Sequence, residues 1–256
     1  MTDSLHLDVA DGVARLRLDR AGRRNAFTLS MWQRFPALVD EAMADPAVRL
    51  LIVESASPGV FCAGADIREF ATSSQDPLWR AANNAAIRRT QVTLARAPKP
   101  TLAVIDGDCI GGGCGLALAC DLRISSPRGR FGITPAKLGL VYPLHDTRLL
   151  VDLVGPAQAR RLLFTAMHID AAEALRIGLV EQVADDLDTA VATYVAAVLA
   201  GSSHSQRATK AIVARIIAGE TDDAPDTAAQ FDAAFDGPDF AEGVGAFVQR
   251  RKPVFG

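Results

Sequence analysis

The chain has 256 residues, 49% hydrophobic and 22% charged, with a formal net charge of −3. That composition supports a full core and excludes global disorder, and the length suits one large domain or one core with a helical appendage. The charge balance gives no reason to expect nucleic acid, no apolar run is long and unbroken enough to span a bilayer, and MTDSLHLDVADG lacks the regions of a signal peptide, so a soluble, cytoplasmic protein without a membrane partner is expected.

Leu5–Val9 and Val13–Leu18 alternate apolar and polar residues around Asp11-Gly12, which predicts a hairpin. Ser30 opens an amphipathic helix running to about Ala44, and Asp45-Pro46 ends it. Leu50–Val53 reads as a buried strand. Phe61–Asp66 follows as a loop, and Ile67–Phe70 starts a helix. The small polar residues 71–76 predict a mobile loop, and Pro77 starts a helix that reaches about Ala95 before Pro98-Lys99-Pro100 breaks it.

Thr101–Ile105 is another buried strand, running into Gly111-Gly112-Gly113 and then a helix to about Cys120. Leu122–Ser125 and Arg130–Ile133 read as short strands. From Asp146 onward the pattern is helical, punctuated by Gly155-Pro156, Ile169-Asp170 and Gly178. Strands alternating with helices, then helices alone, predict an α/β core over residues 1–195 and a helical region over 196–256.

Cys62, Cys109, Cys114 and Cys120 form no CxxC pair and have no histidine at ligand spacing. They read as buried reduced thiols, and no metal is expected.

Two segments carry chemistry. In FCAGADIREF, Phe61–Phe70, the small residues Ala63, Gly64 and Ala65 let a ligand approach the backbone, and Asp66 is placed to cap the helix that follows. In IDGDCIGGGCGLALACD, Ile105–Asp121, three glycines at a helix start leave N–H groups unpaired, and the helix dipole favours an oxyanion there. Close backbone packing would also demand glycine. A P-loop is excluded because no Lys-Ser/Thr follows the last glycine. A dinucleotide fingerprint expects an early βαβ unit with a later acidic residue, and a serine nucleophile elbow expects G-x-S-x-G; neither pattern is present.

With RAGRRNAF (Arg20–Phe27), RFGITPAKLGL (Arg130–Leu140), AAEALRIGLVEQV (Ala171–Val183) and EGVGAFVQRRKPVF (Glu242–Phe255), these segments resemble the enoyl-CoA hydratase/isomerase, or crotonase, family over nearly the whole chain. The resemblance implies an α/β fold of ββα units in two roughly perpendicular sheets. It also implies C-terminal helices that assemble trimers or dimers of trimers. An acyl-CoA thioester would have its oxygen held by the N–H groups of Ala65 and Gly112. The rest of the substrate would lie along Arg23, Arg24, Ala63, Gly64, Asp66, Ile67, Gly111 and Thr134, with Arg250 and Lys252 reaching phosphates of a neighbouring subunit. No cofactor is implied beyond the coenzyme A of the substrate. Residues 71–76 and the Pro77–Ala95 helix would line the acyl tunnel.

The sequence departs from the hydratase pattern at both acid/base glutamates, which align with Gly115 and Pro135. Thr134–Arg148 supplies Tyr142, His145 and Asp146 instead. Tyr142 matches a tyrosine of a methylmalonyl-CoA decarboxylase branch, although that branch has a histidine where this chain has Ala65. Thr134 matches a position where a naphthoate synthase branch holds a bicarbonate. Alternatively Tyr142 packs, and His145 or, by preference, Asp146 caps a helix beginning near Thr147. Glu69, one turn past Asp66, reads most simply as a solvated or salt-bridged side chain, and as the carboxylate nearest the Ala65 amide in sequence after Asp66 it also stays a candidate acid or base. Asp121 is expected to satisfy backbone donors near Arg123. Three readings stand: a lyase or isomerase of acyl-CoA, including a decarboxylase using Tyr142; an acyl-CoA-binding protein without chemistry; and a dinucleotide-dependent reductase.

Overall fold

A computed structural model of the chain describes residues 4–255. The hairpin forms as the alternation dictates: β1 (Leu5–Ala10) pairs antiparallel with β2 (Val13–Leu18) across Asp11 and Gly12, both at positive φ. α1 (Leu29–Ala44) follows. Its N-cap is Thr28, whose hydroxyl accepts from Met31 N, rather than the expected Ser30.

From β3 (Leu50–Ser55) onward the chain gives one strand to each of two sheets and then a helix. β3 and β4 (Val60–Cys62) precede α2 (Ile67–Ser73) and α3 (Pro77–Ala95). β5 (Thr101–Ile105) and β6 (Asp108–Ile110) precede α4 (Gly112–Ala119). β7 (Leu122–Ser125) and β8 (Arg130–Gly132) precede α5 (Pro135–Leu138) and α6 (Leu144–Thr165), which breaks at Gly155-Pro156. β9 (Ile169–Asp170), α7 (Ala171–Arg176) and β10 (Gln182–Val183) close the repeat, and α8 (Leu187–Ala200), α9 (Ser203–Ile217), α10 (Pro225–Ala234) and α11 (Pro238–Val248) follow. Among the described residues the larger sheet has the order β1-β2-β3-β5-β7-β10, parallel from β2 onward, and the smaller has β4-β6-β8-β9.

The unbroken apolar run of β3 reflects burial on both faces, as a parallel strand requires. Leu51 and Val53 join Leu16, Leu18, Trp32, Phe35 and Val39 on the α1 side. Leu50 and Ile52 join Leu102, Ile124, Ala190, Val191 and Val198 on the α8 side. Buried Arg123 donates to the carbonyls of Leu179 and Cys120, both at 2.9 Å, and pairs with Glu181.

Several expectations are corrected. Residues 71–73 extend α2 rather than forming loop, because Asp66 caps that helix and Ser74 N closes it on Phe70 O. The short β4, β6, β9 and β10 carry too few residues to show a period. Asp121 does not serve donors near Arg123: its carboxylate accepts from Thr101 N at 2.8 Å and from Lys210 Nζ at 2.6 Å, tying α9 to the core. No described helix is long and apolar enough to cross a membrane.

Candidate functional site

The segment that joins β2 to α1 is fastened to the segment that joins β4 to α2. Buried Asn25 accepts from Arg20 N at 2.8 Å and donates to Ser55 Oγ at 2.8 Å and Phe61 O at 2.9 Å. Ala63 N then donates to Arg24 O, Phe27 N to Gly64 O, and Asp66 N to Phe27 O. Gly64 N points at Cys62 Sγ, 3.4 Å away. Each amide from 63 to 66 is therefore occupied except that of Ala65, which has no partner among the described residues.

The glycine turn answers from the other side. Gly111 N donates to Gly132 O at 2.7 Å, while Gly112 opens α4. A helix-opening N–H has no intrahelical acceptor, and that of Gly112 meets no other among the described residues. The two segments touch at glycines. A Cβ on Gly64, at φ +88°, would fall 2.8 Å from Ile110 O and 2.9 Å from Gly112 N. A Cβ on Gly112 would meet the Trp32 ring at 3.0 Å. The amides of residues 65 and 112 thus lie on adjoining backbones, on each side of the Gly64–Gly112 contact. Close approach and unpaired N–H groups, the two alternatives for the glycine run, both hold.

One turn into α4, the face of Gly115 is occupied by other side chains. A Cβ there would collide with the Gln91 amide of α3 and stand 3.3 Å from Tyr142 Oη. With Nε2 toward it, Gln91 donates to Asp146 Oδ2 at 3.1 Å and also to Oδ1. Asp146 is 3% exposed, and no cation pairs with it among the described residues; burial pushes its pKa up to about 7. Burial, with Asp146 second, raises Tyr142, whose Oη is buried without a partner. Burial, followed by Arg88, Arg96 and Arg148, lowers His145, whose Nε2 is likewise unpartnered.

The expected capping role of Asp146 is corrected. α6 begins at Leu144, not near Thr147, so Asp146 falls inside its first turn and faces the core. Glu69 is half-buried, has no salt-bridge partner among the described residues, and accepts from Leu29 N at 2.8 Å, at the start of α1. Asp66 caps α2 through Arg68 N and accepts from Arg20 at 2.8 Å. Burial pulls its pKa up, but those hydrogen bonds outweigh it and hold it low.

Arg23 is exposed, and Arg24 pairs with Asp108, which Arg130 also holds. Ile67 is exposed, and half-buried Thr134 has its Oγ1 3.8 Å from where a Cβ on Gly111 would sit. Arg250 and Lys252 are exposed beyond α11. Pro135 opens α5 and carries no acid/base group. The four cysteines are buried and free, and burial pushes Cys62 and Cys120 up to about 12. No cluster of three His, Cys, Asp or Glu suited to a metal occurs among the described residues. Sequence reasoning missed Gln91 and Trp32. Gln91 was detectable as a polar residue on the Ala86–Thr90–Leu94 face of α3, which is buried.

Residues 8–256 match the profile of the enoyl-CoA hydratase/isomerase family. The chain is 32% identical over 257 residues to a crotonyl-CoA hydratase of Syntrophomonas wolfei, covering 99% of this chain and 98% of that protein. It is 33% identical over 183 residues to the mitochondrial methylglutaconyl-CoA hydratase of Mus musculus; that match covers 72% of this chain and only 58% of the mouse protein. The structure superposes on that of an enoyl-CoA hydratase/isomerase family protein from Hyphomonas neptunium with a TM-score of 0.96 at 38% identity, covering 100% of this chain and 98% of that one.

Proposed function

The chain belongs to the enoyl-CoA hydratase/isomerase family, and from that premise we propose that it is an enzyme that binds an acyl-coenzyme A thioester and stabilises an enolate on the thioester oxygen. The donors are the N–H groups of Ala65 and Gly112. One observation carries this reading: the two amides without partners lie on segments that meet at Gly64 and Gly112. Donors fixed before the reaction cost no reorganisation as charge develops, and losing one costs about 3 kcal/mol of barrier.

Arg23, Arg24, Ala63, Asp66 and Ile67 lie on the two fastened segments that flank Ala65 and are assigned to the coenzyme A portion, with Gly111 and Thr134 assigned to the acyl group. Arg250 and Lys252 are assigned to phosphates bound by a neighbouring subunit. No cofactor beyond the substrate's own coenzyme A enters the scheme. Large apolar side chains stand exposed on α9 to α11, among them Ile216, Phe231, Phe247 and Val248. A face of that kind calls for cover, which other copies would supply in a trimer or dimer of trimers.

A second reading concerns the reaction itself. Neither Gly115 nor Pro135 can activate water, so hydration by two glutamates has no groups to perform it. Loss of an α-carboxylate needs only a stabilised enolate and then a proton donor, and we assign that part to Tyr142 on the support of its Oη being buried and unpartnered next to Gly115.

Crotonyl-CoA, a 3-enoyl-CoA and methylmalonyl-CoA offered to the purified protein distinguish the cases. Turnover of the last with little of the first supports Tyr142 chemistry. Binding of all three without turnover would make the chain an acyl-CoA-binding protein. Absence of both binding and turnover would overturn the proposal.

A further inference from the structure

Two buried hydrogen-bond donors stand at the glycine face of α4, the Trp32 indole N–H and the Tyr142 hydroxyl, and neither has a partner among the described residues. The Trp32 side chain is 1% exposed and is fixed on three sides. Its ring packs on Phe27 with centroids 4.4 Å apart, Thr90 Oγ1 of α3 donates to its carbonyl at 2.7 Å, and its ring edge lies against Gly112. The atom at that edge is Cζ2, 3.0 Å from where a Cβ on Gly112 would sit. Cζ2 and Nε1 are bonded to the same ring carbon, so the N–H lies along the same edge.

Tyr142 Oη stands 3.3 Å from where a Cβ on Gly115 would sit. Helix positions three apart share a face, with Cβ atoms about 5–6 Å apart. The two donors therefore border one stretch of α4, a turn long, that begins at the amide assigned to the thioester oxygen. From a thioester carbon at Gly112, one turn reaches the third or fourth carbon of an acyl chain laid along the helix.

An indole N–H can only donate, and burial keeps the proton on Tyr142. A buried donor without an acceptor is costly, and an apolar ring at either position would avoid that cost. A plain alkyl chain supplies no acceptor, whereas an oxygen on the acyl group does.

We propose that Trp32 Nε1–H and Tyr142 Oη–H bind an oxygen acceptor on the third or fourth carbon of the acyl group, so that the site takes oxygen-bearing acyl groups in preference to plain alkanoyl ones. Trp32 is then a specificity-determining residue of the acyl pocket. The inference rests on the acyl-CoA reading above, narrows its substrate class, and holds whichever reaction follows. A ketone and a carboxylate offer the same acceptor, and the test separates them.

Calorimetry with three four-carbon esters makes the comparison: butyryl-CoA has no further oxygen, acetoacetyl-CoA has a ketone on its third carbon, and succinyl-CoA has a carboxylate as its fourth. One of the two oxygen-bearing esters is expected to bind about tenfold or more tightly than butyryl-CoA, and its identity names the acceptor. Trp32→Phe, which keeps an aromatic ring and removes the N–H, is expected to lower that preference about tenfold. Butyryl-CoA binding as tightly as both, or an equal loss for all three esters in Trp32→Phe, would overturn the inference while leaving acyl-CoA binding intact. If none of the three binds, the acyl-CoA reading falls and the inference with it. A second measurement needs no change at Trp32. The chain has two tryptophans, so Trp79→Phe leaves one indole N–H resonance, that of Trp32. It should move on adding the preferred oxygen-bearing ester and stay in place with butyryl-CoA. A resonance that moves with neither, or equally with both, would also overturn the inference.

Discussion

Gly64 and Gly112 are in direct backbone contact: a Cβ on the first would stand 2.9 Å from the amide nitrogen of the second. Glycine at 64 is needed twice over, for its φ of +88° and for that approach. Gly64→Ala is expected to cost about 1–3 kcal/mol of stability from backbone strain and to lower turnover by more than 100-fold, because the side chain would sit where the thioester oxygen is proposed to bind. Denaturant melts and steady-state rates measure the two effects separately.

Gly115 lies where hydratases of the family are expected to carry a glutamate, and here Gln91 and Tyr142 fill that space. Gly115→Glu alone should destabilise the fold by about 1–3 kcal/mol, as overpacking does. Adding Gln91→Ala makes room for the new side chain. The double variant should recover stability and gain hydration of crotonyl-CoA over the unmodified protein, read as loss of the enoyl thioester absorbance.

Asp146 has a raised pKa in the folded state, so the sign of its contribution is opposite to that of a salt-bridged carboxylate. Between the unfolded value of 3.8 and about 7 the native state holds the extra proton, and stability falls as pH rises through that window. Above it the penalty is fully developed, on the order of 4 kcal/mol. Asp146→Asn should flatten the profile over that range and raise Tm at pH 8, while leaving Tm at pH 4 nearly unchanged. Thermal melts at the two pH values check this.

Asn25 holds the Arg20–Phe27 segment from a fully buried position with side-chain hydrogen bonds to Arg20 N, Ser55 Oγ and Phe61 O and a longer one to Val60 O. Asn25→Ala leaves Arg20 N, Ser55 Oγ and Phe61 O without that partner, and should cost about 2–4 kcal/mol in denaturant unfolding. Because Arg23 and Arg24 ride on this segment, KM for an acyl-CoA should rise more than kcat falls.

The parts of the structure legible in the sequence are those with a period or an obligatory residue type. The β1–β2 hairpin showed in its alternation, α3 in its bounding prolines, and the Gly64 and Gly111–Gly113 segments in residues that only close backbone approach requires. β4 and β6 have three residues each, fewer than a period-2 pattern needs to declare itself. Thr28 and Ser30 are equally good caps by type, and their hydroxyls lie 2.9 Å apart; tertiary placement chose the first. Asp146 looked like a cap because nothing local shows that α6 starts at Leu144 or that Gln91, 55 positions earlier, waits across the core. Partnerships between distant side chains have no local signature, and the polar cluster over Gly115 consists of such partnerships.

The central claim is that the Gly112 N–H acts on the thioester oxygen, and comparing Gly112→Pro with Gly112→Ala tests it most directly. Both variants place a Cβ against the Trp32 ring. Gly112 is the first residue of α4, where proline keeps the helix and replaces the N–H with a ring carbon. The expected result is two proteins of similar Tm, with kcat lower in Gly112→Pro than in Gly112→Ala by about 100- to 1,000-fold. Equal kcat in the two would contradict the account.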